Sequence, residues 1–205
     1  PQVDMAVLGV INERLGGALE DAIAAGVSTE TIFASGYLDN DREPKLTQRI
    51  AAKAREAGIE ICGGNCMGFY NLSHGLRVCG FPPPPWMRKG GAVLLTHSGS
   101  VYSGICHNDK RMGWALAVSA GQELTTTVAD YLDYALMMPE TRCIGLFLET
   151  VRDPQGFVAG LEKARQFDIP IIALKVGKTA ASAAKAVSHS GAVAGNHAAY
   201  AALFD

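Results

Sequence analysis

The stretch "AVLLTHSGS", residues 92–100, decides the fold. Residues 92–97 read as a strand, in which Ala92 to Thr96 carry no charge and are apolar or β-branched, as in a strand buried on both faces. His97 and three small residues, Ser98, Gly99 and Ser100, follow at once, and "VYSGICHNDK" continues in a helical pattern. Strand, small-residue turn and helix make up the repeating unit of a parallel α/β sheet. Ligands of such sheets sit beyond the carboxyl ends of the strands. Small side chains leave backbone N–H groups bare at a helix start, where the helix dipole adds partial positive charge. The turn therefore suits a phosphate or another anion, although an ordinary serine cap would use the same residues.

The same unit recurs in both directions. Strand patterns cover 3–10, 31–35, 59–62, 114–121, 142–149 and 169–177, and helical patterns cover 14–25, 43–57, 125–137 and 154–167, with a further helix starting near His189. Gly26 and Gly58 stop the first two helices, and Thr125 or Thr126 is a plausible cap for the helix after 125. The run "FPPPPWMRKGG" cannot enter a helix interior or a central strand. It reads as an extended linker over 81–90, dividing a domain at 1–80 from a domain at 91–205, with a stiff surface loop as the plainer alternative. The expected fold is α/β, with two parallel-sheet domains of the Rossmann/flavodoxin-like type. The chain opens "PQVDMAVLGV" without an initiator Met and closes "AAYAALFD" inside a helical pattern. A piece of a longer polypeptide is expected, with the first domain incomplete.

Composition narrows the function classes. The 205 residues are 48% hydrophobic and 19% charged with a net charge of −2, which gives no basic face for nucleic acid or an anionic membrane. No apolar run reaches the ~20 residues of a membrane-spanning helix. The five cysteines are odd in number and irregularly spaced, as expected of reduced thiols in a cytoplasmic protein. Cys62 and Cys66 lack a second pair or a nearby histidine, so no metal site is expected.

Several strand ends carry groups suited to chemistry. "SAGQE" (119–123) and "SHSGA" (188–192) are small-residue turns like that at 98–100, and they add Gly121, Gln122, Ser190 and Gly191 as candidate phosphate-binding residues. Glu149 ends an apolar strand, and His189 stands between two serines where something large could approach. A carboxylate on one ring nitrogen would leave the other nucleophilic. A solvated carboxylate and a surface histidine are the plainer readings. Ser35-Gly36 and the loop at 63–68 end two strands of the first domain.

Four segments carry a resemblance. "GGNCMGFYN", "VLLTHSGSVYSGI", "LFLETVRD" and "LKVGKTAASAAKAVSHSGAVAG" are similar to blocks of the NDP-forming acyl-CoA synthetases, the ADP-forming acetate–CoA ligase type related to the succinyl-CoA synthetase alpha subunit. The similarity runs from about residue 3 to the end, and the histidine block is its most specific part. It implies a partial CoA-binding Rossmann domain at 1–80 and a flavodoxin-like ligase domain at 91–205. It also implies that His189 is phosphorylated in turnover and that Glu149 orients it. Ser98, Gly99 and Ser100 would hold phosphate, and Ser35, Gly36, Asn65 and Cys66 would lie in the CoA-binding region. The implied reaction interconverts acyl-CoA, ADP and phosphate with carboxylic acid, CoA and ATP. ATP/ADP and Mg2+ would bind an ATP-grasp domain or subunit not present in this chain, and an oligomer is expected.

Departures from the family pattern are Gly64 for Pro and Met67 for Leu in the first block, His97 where Gln or Arg is commoner, and Ser190 for Thr. A non-catalytic CoA- or acyl-CoA-binding regulatory module, like the synthetase-like regions fused to some protein acetyltransferases, is the alternative. It predicts a degraded histidine block, and here the histidine is kept. A nicotinamide-dependent dehydrogenase would want G-x-G-x-x-G after its first strand, and this chain has none.

Overall fold

The computed structural model describes residues 3–108, 111–177 and 200. It is an α/β protein with two sheets, as the alternating patterns imply. The first sheet is parallel, in the order β1 (Met5–Leu8), β2 (Thr29–Ile32), β3 (Glu60–Gly63). Its crossovers are α1 (Leu15–Ala24) and α2 (Leu46–Ala57). Leu15 and Leu19 of α1, with Leu46, Ile50 and Ala54 of α2, recur at helical spacing. They bury against Leu8, Ile32 and Ile61 on one face of the sheet. Gly58 ends α2 in the left-handed region, at φ 69°.

The second sheet has six strands in the order β5-β4-β7-β6-β8-β9, and its core is formed by β6 (Arg88–Thr96), β7 (Gly113–Ser119) and β8 (Cys143–Leu148). With β9 (Ile171–Lys175) these strands are parallel. Helices α4 (Val128–Met137) and α5 (Pro154–Gln166) cover one face around Val93, Leu95, Leu132, Ile144, Leu146 and Phe157. Helix α3 (Gly99–Asn108) covers the other, placing Tyr102 and Cys106 on Leu94, Trp114 and Ala117. No helix among the described residues is long and apolar enough to cross a membrane.

Three local features differ from the sequence reading. Residues 68–79 form a hairpin, β4 (Gly68–Asn71) and β5 (Leu76–Cys79), within the stretch assigned to the first domain. The hairpin joins the second sheet instead, with β4 antiparallel to β7 from Gly68↔Ser119 to Asn71↔Leu116. The short turn between β4 and β5 fixes their antiparallel pairing, and the β4–β7 ladder between residues far apart in the chain fixes the sheet that the hairpin joins. β6 also begins at Arg88, inside the stretch read as linker, because Arg88 and Lys89 extend the pairing to Gly113 and Trp114. Finally, the cap of α4 is Thr127, whose N–H and hydroxyl both reach Asp130 Oδ2 at 2.7 Å. Thr125 and Thr126 hydrogen-bond Glu60, and Thr125 Oγ1 also accepts the Ile61 N–H at 2.6 Å. These two threonines therefore tie the lead-in of α4 to the edge strand of the first sheet.

The sheets meet at a seam built from the loop after β3. Asn65 N–H donates to Ala34 O at 2.9 Å on the side of the first sheet. Gln122 and Leu124 N–H donate to Gly64 O and Gly63 O, both at 2.8 Å, on the side of the second. The chains lie so close that a Cβ on Gly121 would fall well inside contact with the Gly64 carbonyl oxygen, and Gly121 has φ +60°. Gly64 is equally confined, because a Cβ there would lie 2.7 Å from Ala34 O.

Two predictions follow from this packing. Gly121→Ala combines a left-handed backbone with a backbone clash, so denaturant unfolding should show a loss on the order of 1–3 kcal/mol. The second concerns Glu30. It stands in register with Ala6 and Ile61, on the side that packs against α1 and α2. It is 1% exposed, and neither carboxylate oxygen has a hydrogen-bond partner among the described residues. Burial raises its pKa from the ordinary 4.5 to about 7. A carboxyl raised on folding stabilises the fold fully below about 4.5, and that contribution is lost as pH rises through about 7. Glu30→Gln should therefore be more stable than wild type at pH 8, on the order of 1–3 kcal/mol. The gap should close towards pH 4 in thermal melts.

Candidate active site

The carboxyl ends of β6, β7 and β8 bring the candidate residues of the second domain together. β6 ends at Thr96, and the ladder runs one step further, with His97 N–H donating to Phe147 O at 3.2 Å. The chain then turns into α3. Thr96 Oγ1 accepts the Ser98 N–H at 2.9 Å, and Ser98 Oγ accepts the Val101 N–H at 3.3 Å. Ser98 is thus the cap of α3, with Gly99 and Ser100 in its first turn. Ser98 and Gly99 are half-buried and Ser100 is exposed. This is an open helix start with positive dipole character, a geometry that suits an anion.

Glu149 follows directly on β8 and is 8% exposed. Its backbone N–H donates to His97 Nδ1 at 3.0 Å. Its Oε2 is buried without a hydrogen-bond partner among the described residues. An orphaned carboxylate oxygen beside a helix start is the kind of group a catalytic site leaves free. Lys175, at the end of β9, is held below the usual lysine pKa by burial, and the Glu149 charge partly offsets that effect. Its ammonium donates to Val176 O at 2.5 Å and lies 4.6 Å from the centre of the Tyr200 ring.

The other candidates divide between this edge and the seam. Gly121 lies against the Gly64 carbonyl. Gln122 is 6% exposed, and both polar atoms of its amide lack partners among the described residues. Asn65 is exposed at the tip of the seam loop with φ 51°, whereas Cys66 is buried and its thiol faces Ile32 O at 3.4 Å. Ser35 and Gly36 sit beyond β2 and are gathered by Asn12. Its Oδ1 accepts the Gly36 N–H at 2.9 Å, and its Nδ2 donates to Ser35 Oγ at 3.3 Å. His189, Ser190 and Gly191 lie outside the described residues.

Sequence reasoning placed Asn12 and Glu123 only within strand-end stretches, 9–12 and 119–123, without giving either a role, and passed over Arg152. Glu123 is 4% exposed with φ 55°, and its Oε1 lies 3.2 Å from His97 Nε2 and also accepts the Val128 N–H at the start of α4. Its Oε2 lies 3.5 Å from Arg152 Nε. The signal available for Glu123 was its place in the "SAGQE" turn, where only the small residues and Gln122 were weighed. Among the described residues no group of three or more His, Cys, Asp or Glu side chains could hold a metal ion. A cleft of about 820 Å³, lined by Thr29, Thr31, Phe69, Tyr131 and Tyr134 among others, opens by the amino ends of the first sheet and contains none of the candidate residues.

Comparison with known proteins agrees with this architecture. Residues 89–205 match the family model described as the succinyl-CoA ligase like flavodoxin domain. The alpha subunit of ADP-forming acetate–CoA ligase II from Pyrococcus furiosus is 27% identical over 99% of this chain and 44% of its own length. The ADP-forming acetate–CoA ligase of Methanocaldococcus jannaschii is 30% identical over 98% of this chain and 28% of its own length. Among solved structures, the dinucleotide forming acetyl-coenzyme A synthetase 1 of Ca. Korarchaeum cryptofilum, in complex with phosphate and ADP, superposes with a TM-score of 0.85 at 26% identity. That match covers 100% of this chain and 44% of the other. The chain thus spans less than half the length of these relatives. With the matched segment filling more than half of the chain, the protein belongs to the family of the succinyl-CoA ligase like flavodoxin domain.

Proposed function

We infer that this chain is the CoA-binding and phosphoryl-transfer segment of an acid–CoA ligase that interconverts acyl-CoA, ADP and phosphate with carboxylic acid, CoA and ATP. The observation that carries this reading is the pairing of an open helix start at Ser98–Ser100 with a buried Glu149 carboxylate whose Oε2 has no partner among the described residues. Names of relatives agree with it, being acetate–CoA ligases that form ADP. ATP/ADP and Mg2+ would be bound by an ATP-grasp domain or partner subunit, and a cytoplasmic oligomer fits the same reading.

The chemistry needs three things from these residues. In the direction of acid release, phosphate attacks the thioester carbonyl. The C–S bond breaks, and an acyl phosphate and CoA form. The N–H groups at the start of α3 and the Ser98 and Ser100 hydroxyls offset the charge of the phosphate. His189 then attacks phosphorus through one ring nitrogen, displacing the carboxylic acid and forming a phosphohistidine. Glu149 accepts the N–H of the other ring nitrogen, which keeps the attacking nitrogen unprotonated and stabilises the positive ring as it forms. Finally the phosphoryl group passes from His189 to ADP. Ser190, Gly191, Gly121 and Gln122 serve the phosphate on this reading, and Ser35, Gly36, Asn65 and Cys66 border the CoA. Asn65, exposed at the loop tip, is better disposed to touch it than Cys66, which is buried.

Incubation of the complete protein with radiolabelled ATP and Mg2+ tests this. An acid-labile, base-stable phosphate should appear on the peptide containing His189. His189→Ala should abolish the label together with ligase turnover. Glu149→Gln should slow both, on the order of 10²- to 10⁴-fold, while thermal melts stay near wild type. An acid-stable label on Ser188 or Ser190, or full turnover by His189→Ala, would overturn the mechanism.

A further inference from the structure

We propose that His97 is a positioning residue for Glu149. It sets the carboxylate by holding the Glu149 main chain, and it braces that hold against Glu123. The inference rests on the ligase reading above and adds a residue to it.

The argument begins with the ladder between β6 and β8. The register pairs Thr96 with Phe147, and the His97 N–H adds one more bond to Phe147 O. The next N–H on the β8 side belongs to Glu149, but by then β6 has turned away into α3 and offers it no carbonyl. The imidazole takes that place, with Nδ1 accepting the Glu149 N–H at 3.0 Å. The His97 side chain thus substitutes for the missing rung.

An Nδ1 that accepts a backbone N–H carries no proton, so the neutral ring carries its proton on Nε2. Nε2 lies 3.2 Å from Glu123 Oε1, a close electrostatic contact without hydrogen-bond geometry among the described residues. Glu123 is itself fixed, because the same oxygen accepts the Val128 N–H and Oε2 lies 3.5 Å from Arg152 Nε. Arg152 is three residues beyond Glu149, so the segment 149–152 is held near both ends, by His97 and by Glu123. The contact between His97 and Glu123 is dry, the His97 side chain being 2% exposed and that of Glu123 0%, whereas Arg152 is partly exposed. The Glu149 Oε2 atom has no partner of its own among the described residues. The position of that carboxylate therefore depends on its backbone, which His97 holds from the β6 side while the β8–β9 ladder holds the adjoining Leu148 from the other. The same engagement of Nδ1 and burial of the ring argue against His97 as the phosphate carrier.

Two substitutions separate the two arms of the ring. His97→Asn places an amide oxygen near the position of Nδ1 and keeps the acceptor for Glu149. His97→Gln places an amide nitrogen near the position of Nε2 and keeps only the arm towards Glu123. In the complete enzyme, His97→Ala should lower kcat about a hundredfold, the size of effect that a misplacement of about 1 Å produces, with KM for CoA changed less than about threefold. His97→Asn should recover at least about tenfold of that loss relative to His97→Gln. Hydrogen exchange over the peptide containing Glu149 should quicken in the Ala and Gln variants and stay slow in the Asn variant. If His97→Ala does not fold, the comparison of Asn with Gln decides. Equal or better turnover by the Gln variant, wild-type kcat in the Ala variant, or unchanged exchange in both would overturn the proposal. Absence of ligase turnover in wild type would instead overturn the proposed function, and the exchange result alone would then decide whether His97 holds Glu149.

Discussion

Close approach of three backbone segments, after β2, β3 and β7, is the constraint on which the rest of the structure depends. The loop at Gly63–Asn65 is the middle layer, bonded to Ala34 on one side and to Gln122 and Leu124 on the other. No side chain fits at Gly64 or Gly121, because a Cβ at either would enter the space of a neighbouring carbonyl oxygen. The price of that approach is conformational freedom given up at glycine, and the return is a rigid junction. Through it, the strand ends of a three-stranded sheet and a six-stranded sheet share one edge. The Thr125 and Thr126 hydroxyls reinforce the junction from the α4 side by bonding β3.

What the junction presents is an edge with unequal chemistry. At the second sheet, an open helix start with positive character stands beside buried carboxylates on Glu123 and Glu149. The two carboxylates are treated differently. Glu123 is engaged by the α4 N-terminus, by His97 and by Arg152, so it acts as an internal strut. Glu149 has its backbone engaged but keeps one side-chain oxygen free of protein partners among the described residues. Glu123 Oε2 also lacks a hydrogen bond but has the Arg152 guanidinium at 3.5 Å, whereas Glu149 Oε2 has neither a hydrogen bond nor an ion pair among the described residues, and a buried orphan is costly unless something else meets it. That contrast, more than the presence of acidic residues as such, singles out Glu149.

Much of the architecture was legible because its signals are local. The uncharged run at 92–96, the helical spacing of Leu15 and Leu19, and Gly58 after the second helix all act within one element. The hairpin at 68–79 was not legible. Its strands have four residues each, too few for a clear period, and they owe their stability to pairing with β7, about fifty residues away in the chain. The cap of α4 was misplaced by one or two residues for a related reason. Three consecutive threonines can each cap a helix, and only the position of Glu60 engaged the first two elsewhere. At the site, Ser98 and Glu149 could be singled out from their places at strand ends, whereas Glu123 and Arg152 gain meaning only from each other and from His97.

By itself, then, the sequence determined the α/β class, the order of most strands and helices, and the small-residue turns at their ends, because periodicity, glycine and capping chemistry act over a few residues. Tertiary structure decided which sheet the hairpin joins and that His97 faces inward rather than towards a ligand. It also decided that one glutamate is a strut and the other is left free. These depend on contacts between residues far apart in the chain, such as β4 with β7, His97 with Glu149 and Glu123 with Arg152. Such contacts exist only once the parallel ladder has set which strand ends are neighbours, and no local pattern encodes that arrangement.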